Sequence, residues 1–330
     1  MRVLVTGASG FIGGHLVPEL VRLGHNVTCM VRRTSNVDAL RGMGVELRQG
    51  DLADPISLTE AVKGMDAVVH LAAYYEFYGQ KELYRKLNVE GTRILAAAAR
   101  KAGAKHFVYC SSTEAIGPVE HPPADEETEP TPRFEYGRSK LEAERAALAE
   151  GDGMAVSVIR STGVYGPGNV DDVSYWFIMT MAGGGPMSWF VAGSGEHLIQ
   201  FAHVGDVVQG LTRVLEKREE ARGETFIIGE DAAYTYNQVY EIISEILGVR
   251  PPRLHLPPWL VKLGVAPVEA VNNVLGRKSF MWHTKTVDSV TSHRAYSVDK
   301  AKRILGYAPK HSLREGLAET VDWYRAHGYL

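Results

Sequence analysis

The stretch that decides the fold is residues 3–14, which read Val3-Leu4-Val5-Thr6-Gly7-Ala8-Ser9-Gly10-Phe11-Ile12-Gly13-Gly14 in a chain of 330 residues. A short apolar run of β-type residues enters three glycines that are spaced three residues apart. Apolar residues then recur at helical spacing at Phe11, Ile12, Leu16 and Leu20. The pattern predicts a strand, a glycine turn and the start of a helix.

Each of the three glycines has a physical task in such a turn. Gly7 lets the chain turn sharply, Gly10 lets the backbone approach a pyrophosphate, and Gly13 lets the helix pack close to the strand. The free N–H groups at the helix start would then hold the phosphates. Glycine turns also occur in loops that bind nothing, but the position directly after the first strand favours a dinucleotide site. We expect cofactor contacts from Gly7, Ser9, Gly10, Phe11, Ile12 and Gly13.

The composition indicates a globular protein without a nucleic-acid partner. Hydrophobic residues make up 45% and charged residues 23%, and the formal net charge is −3, so no basic field for nucleic acid exists. The chain opens inside the first predicted strand without an apolar leader, and no apolar run is long enough for an integral membrane segment. We expect a cytoplasmic protein that acts on a small molecule.

The cysteines and histidines predict no metal site. Cys29 and Cys110 each lie in an apolar β-type run, where a buried reduced thiol is the common state. They are far apart in the sequence, and the histidines are scattered along the chain.

The second predicted strand, residues 27–31, ends in Val31 and is followed by Arg32 and Arg33. An acidic residue at this strand end binds the ribose 2′-OH of NAD, whereas arginine accommodates the 2′-phosphate of NADP. The two arginines therefore favour NADP, with NAD still possible. The alternative is a solvated basic turn that contacts no cofactor.

The fourth predicted strand, residues 66–73, ends in Leu71 and the small residues Ala72 and Ala73. We expect the cofactor to pass over this strand end and to contact all three. His70 is expected to be a packed strand residue. The aromatic cluster that follows is placed where ligands bind in α/β sheets, and it could form a substrate wall or core packing: Tyr74, Tyr75, Phe77 and Tyr78.

Three residues form a catalytic hypothesis. A fifth strand delivers Ser111, Ser112 and Thr113 at its end, and Tyr136 and Lys140 lie one turn apart at the start of a later helix. A tyrosine becomes an acid/base near neutral pH when nearby positive charge lowers its pKa, and Lys140 would supply that charge. A serine would hydrogen-bond the substrate oxygen. The number of residues between the hydroxyl residue and Gly117 favours Ser112 for this role. Ser111 and Thr113 are close alternatives.

Together these motifs make the chain resemble the extended short-chain dehydrogenase/reductase superfamily over nearly its whole length. Later segments agree, with Arg160-Ser-Thr-Gly-Val-Tyr-Gly-Pro167 and Phe201-Ala-His-Val-Gly-Asp-Val207 similar to two family signatures. The resemblance implies that Asp51 and Leu52 lie against the adenine, that Lys140 also binds the ribose, and that a homodimer forms through the helices beginning near Leu83 and Tyr136.

The expected fold is α/β, a Rossmann-type doubly wound parallel sheet of about seven strands with a smaller C-terminal substrate domain. Residues 1–165 and 201–229 would form the cofactor domain, and residues 166–200 and 230–330 the substrate domain.

The substrate side differs from that of the superfamily's sugar enzymes. Those enzymes commonly place a diphosphate-binding arginine where this chain has Ile199, and the second such arginine is kept as Arg294 without its usual acid three residues on. With the aromatic, methionine-rich segment around Trp176, and with Tyr165 of the Val-Tyr-Gly-Pro motif, an apolar pocket is expected. These features resemble the 3β-hydroxysteroid dehydrogenase and dihydroflavonol reductase branch.

The leading hypothesis is thus reversible, NADP-linked oxidoreduction of a secondary alcohol or ketone on a hydrophobic steroid-, flavonoid- or isoprenoid-like substrate. One alternative is a nucleotide-sugar epimerase or dehydratase, and another is a catalytically silent NADP-binding regulator. Residues 256–267 could form a lid or a membrane-touching helix, but we expect a packed helix of the substrate domain.

Overall fold

The computed structural model describes residues 1–76, 79–275 and 282–330. In chain order the strands are β1 (Arg2–Thr6), β2 (Asn26–Val31), β3 (Glu46–Gln49), β4 (Ala67–His70), β5 (His106–Ser112), β6 (Ala155–Ser161), β7 (Gly163–Tyr165), β8 (Phe190–Ala192), β9 (Leu198–Ile199), β10 (Phe201–His203), β11 (Thr225–Ile228), β12 (Tyr234–Thr235) and β13 (Leu254–Leu256).

The α-helices are α1 (Phe11–Arg22), α2 (Asp38–Arg41), α3 (Pro55–Ala61), α4 (Lys81–Leu83), α5 (Gly91–Lys101), α6 (Glu135–Leu148), α7 (Val173–Gly183), α8 (Val204–Glu216), α9 (Tyr236–Leu247), α10 (Pro258–Val274), α11 (Thr284–Val290), α12 (Asp299–Leu305) and α13 (Leu313–Ala326). A π-helical stretch, Tyr84–Glu90, joins α4 to α5, and short 3₁₀ turns occur at Thr113–Ala115 and Pro186–Ser188.

The central sheet is parallel and has seven strands among the described residues, in the order β3-β2-β1-β4-β5-β6-β11. The predicted Rossmann-type fold is therefore confirmed. The chain leaves β1 on one side towards β2 and later returns on the other side through β4. Ligands of such sheets bind at this reversal of strand order, beyond the carboxyl ends of the strands. The glycine turn after β1 stands at that point.

Helices cover both faces of the sheet, which explains why its strands read as nearly continuous apolar runs. In β1, Val3 and Val5 belong to one buried cluster with Leu16 of α1, whereas Leu4 belongs to a second cluster with Leu95 of α5. Alternate side chains of one strand thus enter opposite cores.

A third apolar cluster lies among α7, α9 and α13. Phe177, Ile243, Leu317 and Tyr324 are buried there. The helical spacing of Leu313, Leu317, Val321 and Tyr324 predicts the final helix, which the structure contains as α13. Ser312 begins it with a capping box that includes Glu315.

Several boundaries differ from the predicted ones. The third strand is Glu46–Gln49 instead of residues 45–47, and the fourth ends at His70 because the chain then turns across the glycine loop. The sixth strand continues to Ser161, since it pairs with both β5 and β11.

Residues 256–267 were expected to form a packed helix. A helix forms there, but most of its residues are not buried. Helix α10 begins at Pro258, as its prolines suggest, but it buries only Val261 and Val265. None of the helices in the described part of the chain combines the length and apolarity needed to cross a bilayer. Cys29 and Cys110 are buried and not disulfide-bonded.

Candidate active site

The glycine turn is packed as its sequence predicts. Gly7 has a φ of +71°, and a Cβ there would stand 2.8 Å from the backbone nitrogen of Ala72. A Cβ on Gly13 would stand 2.2 Å from the carbonyl oxygen of Gly7, so the helix approaches the turn too closely for a side chain. Gly10 precedes α1 without a side-chain cap, and no acidic residue lies in the first turn. The free N–H groups there can receive an anion.

One cavity of about 620 Å³ joins this turn to the three predicted catalytic residues. Its lining contains Gly7, Gly10, Phe11, Ile12, Gly13, Arg32, Leu71 and Ala73 of the predicted cofactor contacts, together with Ser112, Tyr136 and Lys140. The structure thus brings together residues that are more than one hundred positions apart in the sequence.

Lys140 lies one helical turn after Tyr136, and contacts with the end of β5 fix the position of its side chain. Its Nζ donates a hydrogen bond of 2.6 Å to the carbonyl oxygen of Cys110 and lies 4.3 Å from the centre of the Tyr109 ring. Burial lowers the pKa of Lys140 to about 8, because an ammonium group is poorly solvated there. The lysine is therefore positioned one helical turn from the tyrosine, as predicted.

The pKa of Tyr136 moves in the direction opposite to the sequence-based expectation. Burial raises it above the ordinary tyrosine value, and the nearby Cys110 and Asp172 add to the shift. The phenol is consequently held protonated, a state suited to proton donation. Lys140 and a bound oxidised nicotinamide would oppose this effect by their positive charge.

The three hydroxyl candidates after β5 have different partners. Ser111 donates a hydrogen bond to the buried carboxylate of Glu144, which also pairs with Arg160 at 2.8 Å. Ser112 accepts a hydrogen bond of 3.2 Å from the backbone nitrogen of Glu114, so its own proton is free to be donated. Both serines and Thr113 line the cavity, but Ser111 is already engaged in a structural network.

Sequence reasoning missed Asn88, which connects the π-helical stretch to the catalytic helix. Its side chain exchanges hydrogen bonds with the backbone of Tyr74, at 2.7 and 3.1 Å, and donates one of 3.0 Å to Ser139. Ser139 in turn donates to the carbonyl oxygen of Tyr136 at 2.7 Å. A π-helical stretch within a helix often marks a functional site. A single sequence does not reveal such a stretch, so no sequence signal pointed to Asn88.

Tyr75 and Asp172 close the cavity over the catalytic tyrosine. The Tyr75 ring lies edge-on to the Tyr136 ring, with centroids 5.1 Å apart, and its hydroxyl donates to Asp172 at 3.0 Å. Asp172 also caps α7, and burial raises its pKa to about 6. Of the predicted aromatic cluster, Tyr75 lines the cavity, whereas Tyr74 does not. Phe77 and Tyr78 lie outside the described residues.

Arg294 also lines the cavity, and its side chain is only 7% exposed. Its Nε donates to Glu114 at 2.7 Å and its Nη1 to the carbonyl oxygen of Ser289 at 2.7 Å. Its Nη2 is buried and finds no hydrogen-bond partner among the described residues. Burial opposes the charge, but the Glu114 carboxylate outweighs it and raises the pKa of Arg294.

The other predicted substrate residues divide between the cavity and the core. Ile199 lines the cavity and forms a β-bridge with Arg294. Trp176 is outside the described lining and contacts Tyr175. Tyr165 is fully buried, and its hydroxyl donates to Glu230 at 2.8 Å. The placement of Tyr165 beside Gly316 makes it a packing residue, because the ring fills the space that a glycine leaves.

The remaining predicted cofactor residues are not among the described residues that line the cavity. Arg33 is exposed beside Arg32, and no ion pair among the described residues involves either one. Asp51 accepts a hydrogen bond from the backbone of Ala53 at 2.8 Å, and Leu52 packs near Gly91. Ser9 and Ala72 belong to the turn and to the strand end that it crosses.

A cluster of possible metal ligands lies away from this cavity, contrary to the impression of scattered histidines. One ligand atom each of His203, His311 and Glu319 lies within 4.8 Å of the others. However, Nδ1 of His203 accepts a hydrogen bond from the backbone of Gly205, so a neutral ring carries its proton on Nε2, the atom facing Glu319. A protonated nitrogen is not a metal ligand. This Nε2 is buried 3.4 Å from the Glu319 carboxylate and has no hydrogen-bond partner among the described residues.

Comparison with known proteins fits this geometry. Residues 3–229 match the profile of a family described as "NAD dependent epimerase/dehydratase family". The chain belongs to this family. It is an enzyme of the extended short-chain dehydrogenase/reductase type, and the family uses nicotinamide cofactors.

Two curated relatives are informative. The chain is 30% identical to "Sterol demethylase protein B" of Methylococcus capsulatus, over 100% of both chains. It is 28% identical to a "3 beta-hydroxysteroid dehydrogenase/Delta 5-->4-isomerase" of Mycobacterium tuberculosis, over 98% of this chain and 90% of the relative.

One similar solved structure holds a nucleotide sugar. The chain is 30% identical to MoeE5 in complex with UDP-glucuronic acid and NAD, with a TM-score of 0.76 over 99% of this chain and 100% of that chain. Relatives that are named for sterols or steroids and a relative that holds a nucleotide sugar are thus both similar to this chain, and the cavity's own residues must distinguish between these two kinds of ligand.

Proposed function

We propose that this family member interconverts a secondary alcohol and a ketone on a hydrophobic, steroid-, flavonoid- or isoprenoid-like substrate with NADP as its cofactor. The observation that carries the reaction class is the single cavity that contains the glycine turn, Ser112, Tyr136 and Lys140. A sensor without catalysis would have no need of all three side chains beside the cofactor turn.

The three residues would act on one oxygen atom of the substrate. Ser112 donates a hydrogen bond to it, because its hydroxyl accepts from the Glu114 backbone and keeps its proton available. Tyr136 gives a proton to the ketone oxygen during reduction and removes one from the alcohol during oxidation. Lys140 stabilises the phenolate that remains and binds the cofactor ribose. The bound nicotinamide supplies or accepts the hydride.

The preference for an apolar substrate rests on the cavity side that faces the catalytic residues. Ile199 stands at the position of a diphosphate-binding arginine, and Val173, Phe201 and Tyr236 also line this side. An aliphatic side chain cannot neutralise a phosphate, but it contributes apolar contact to a ring system. The sterol and steroid names of two relatives agree with this assignment.

Arg294 would anchor one polar group of an otherwise apolar substrate. Its Nη2 is buried and has no hydrogen-bond partner in the described part of the chain, an arrangement that is costly unless a ligand completes it. Glu114 holds the guanidinium in place through Nε. A carbonyl, hydroxyl or carboxylate oxygen of the substrate would be a suitable acceptor.

NADP is assigned from the end of β2. Val31 is buried there, so no carboxylate is available for a ribose 2′-OH, and Arg32 lines the cavity without an ion pair within the described part of the chain. A guanidinium without a carboxylate partner suits a 2′-phosphate. Arg33, Asp51 and Leu52 are assigned supporting contacts to the adenosine half.

We also propose the division into a cofactor domain, residues 1–165 and 201–229, and a substrate domain, residues 166–200 and 230–330. The third apolar cluster supports it, because the segments after residues 165 and 229 contribute most of its members. A cytoplasmic homodimer is assigned by resemblance, with pairing through the helices that begin near Leu83 and Tyr136.

A nucleotide-sugar epimerase or dehydratase is the second candidate. The retained Arg294 and the similarity to a structure that holds a UDP-sugar favour it. In that case Arg294 would bind a diphosphate, and another cation would have to replace the arginine that is absent at Ile199.

The deciding experiment is thermal unfolding of the NADP-loaded protein with UDP, UDP-glucose and a panel of steroid, flavonoid and isoprenoid ketones. A ligand at 100 times its dissociation constant should stabilise the fold by about 2.7 kcal/mol. We expect stabilisation by at least one apolar ketone and none by UDP. Stabilisation by UDP alone would assign the sugar reaction instead.

A further inference from the structure

We propose that the outer face of α10 docks the protein onto the surface of an anionic lipid bilayer. The docking surface is defined here by six exposed apolar residues, Trp189, Trp259, Leu263, Val271, Val274 and Leu275. Trp259 is 67% exposed, Leu263 65% and Val274 87%. Five of the six lie on α10 or at its C-terminal end, and Trp189 directly precedes β8. A group of exposed apolar side chains of this kind indicates an interaction site, whereas single exposed residues do not.

The spacing along α10 places its apolar residues on one side of the helix. Intervals of three and four residues separate Leu260, Leu263, Pro267, Val271 and Val274. All five are exposed, and such intervals align side chains along one helix face. The helix therefore has a continuous apolar stripe that faces away from the protein.

The opposite side of α10 attaches it to α11. Val261 and Val265 form a small buried cluster with Val287. The two charged residues of α10 also make contacts on this side of the helix. Lys262 pairs with Asp288 at 2.6 Å, and Glu269 accepts a hydrogen bond from the backbone of Thr284 at 2.8 Å. The outward stripe consequently carries no charged side chain.

Charge close to the start of α10 selects an anionic surface as the occupant, because Arg250 and Arg253 lie on the segment that leads through β13 into this helix. Trp189, Arg250 and Arg253 line a surface depression of about 520 Å³ that contains no carboxylate residue. Both arginines are exposed, and within the described ranges neither has an ion pair. β8 and β13 pair in parallel, so Trp189 and Arg253 occupy the residues just before adjacent strands. Interfacial helices combine an apolar face, tryptophan and flanking basic residues in this way.

The docking surface adjoins the catalytic cavity through α11. Ser289 and Val290 of α11 line the cavity, and the same helix holds α10 through Val287. A hydrophobic substrate dissolved in a bilayer could then enter without crossing water. This last step rests on the proposed function, whereas docking itself rests only on the exposure and charge of the surface.

The test is co-sedimentation of the NADPH-loaded protein with vesicles of phosphatidylcholine alone and of phosphatidylcholine mixed with phosphatidylglycerol. We expect binding to the mixed vesicles that salt weakens. Leu263→Glu combined with Val274→Glu should reduce binding at least tenfold. Arg250→Gln combined with Arg253→Gln should reduce it by about twenty-five-fold at low salt, from roughly fivefold for each arginine.

Ile56→Glu is the matched control, because Ile56 is 77% exposed on α3, outside the docking surface. It should bind vesicles as the wild type does. Unfolding midpoints and light scattering establish that each variant is folded and report its oligomeric state. Absence of wild-type binding to mixed vesicles, or equal binding by the Leu263/Val274 variant, overturns the proposal. A dimer that this variant converts to a monomer, without vesicle binding, would assign the surface to a second copy of the chain.

Discussion

Arg294 and Glu114 both line the cavity and form an ion pair of 2.7 Å, although 180 positions separate them in the sequence. Glu114 lies two residues beyond Ser112 and also donates its backbone N–H to that serine. The pair therefore connects the guanidinium that we propose as the substrate anchor directly to the strand end that carries the proposed carbonyl-polarising hydroxyl.

Arg294→Lys should raise the KM of the ketone substrate by about tenfold, or about 1.4 kcal/mol, and leave kcat within a few fold. A lysine keeps the charge beside Glu114 but has no second nitrogen to replace Nη2. Steady-state kinetics give both constants. Arg314→Lys is the control, since Arg314 is an exposed partner of Glu245. An unchanged KM in Arg294→Lys would remove Arg294 from the substrate site.

Gly13→Ala and Gly14→Ala should have opposite effects on stability. The alanine Cβ at position 13 would meet the Gly7 carbonyl oxygen, so we expect a lower unfolding midpoint and weaker NADPH binding. A Cβ at position 14 meets nothing within 4 Å, and alanine in a helix stabilises it by about 0.8–1 kcal/mol relative to glycine. Thermal unfolding and cofactor titration measure both. Equal behaviour of the two variants would contradict the proposed packing.

Arg32→Ala should weaken NADP binding by at least about tenfold and leave NAD binding unchanged, because the lost guanidinium would contact only the 2′-phosphate. Arg33→Ala should have a smaller effect, since Arg33 lies outside the described lining of the cavity. Calorimetric titration with both dinucleotides provides the comparison. A parallel loss of NAD and NADP affinity would show that Arg32 supports the site in another way.

The kcat/KM for ketone reduction should fall as the pH rises through about 8. Burial lowers the pKa of Lys140 to about 8, so its amine is charged below this pH and neutral above it. Burial raises the pKa of Tyr136, so the tyrosine keeps its proton over the same range. Lys140→Arg should lose this alkaline limb, because guanidinium stays charged. A wild-type profile that is flat through pH 8 would exclude Lys140 as the titrating group.

The sequence specified the fold well because its signals were local. The glycine turn, the apolar strands and the capping box of α13 each depend on neighbouring residues. The residues that surround the candidate site were harder to predict from the sequence. Tyr75 lines the cavity in place of Tyr74, and Asn88 acts through a π-helical stretch that no single-sequence pattern reveals.

Burial explains the remaining differences. Tyr165 was expected to contact substrate, but tertiary packing places it fully inside the protein against Gly316. Helix α10 has the apolar composition of a packed helix, yet its neighbours cover only one side. Which face of an element is covered depends on distant segments, and the local pattern alone does not contain that information.

The most direct measurement of the central claim is hydride transfer from NADPH to the apolar ketone that stabilises the protein, followed by the absorbance of the nicotinamide. The wild type should turn over, Tyr136→Phe should lose a factor of about 10²–10⁴ in rate while keeping NADPH affinity within a few fold, and Tyr329→Phe, which alters an exposed tyrosine, should match the wild type. Turnover by Tyr136→Phe at the wild-type rate would contradict the assignment of Tyr136 as the acid/base.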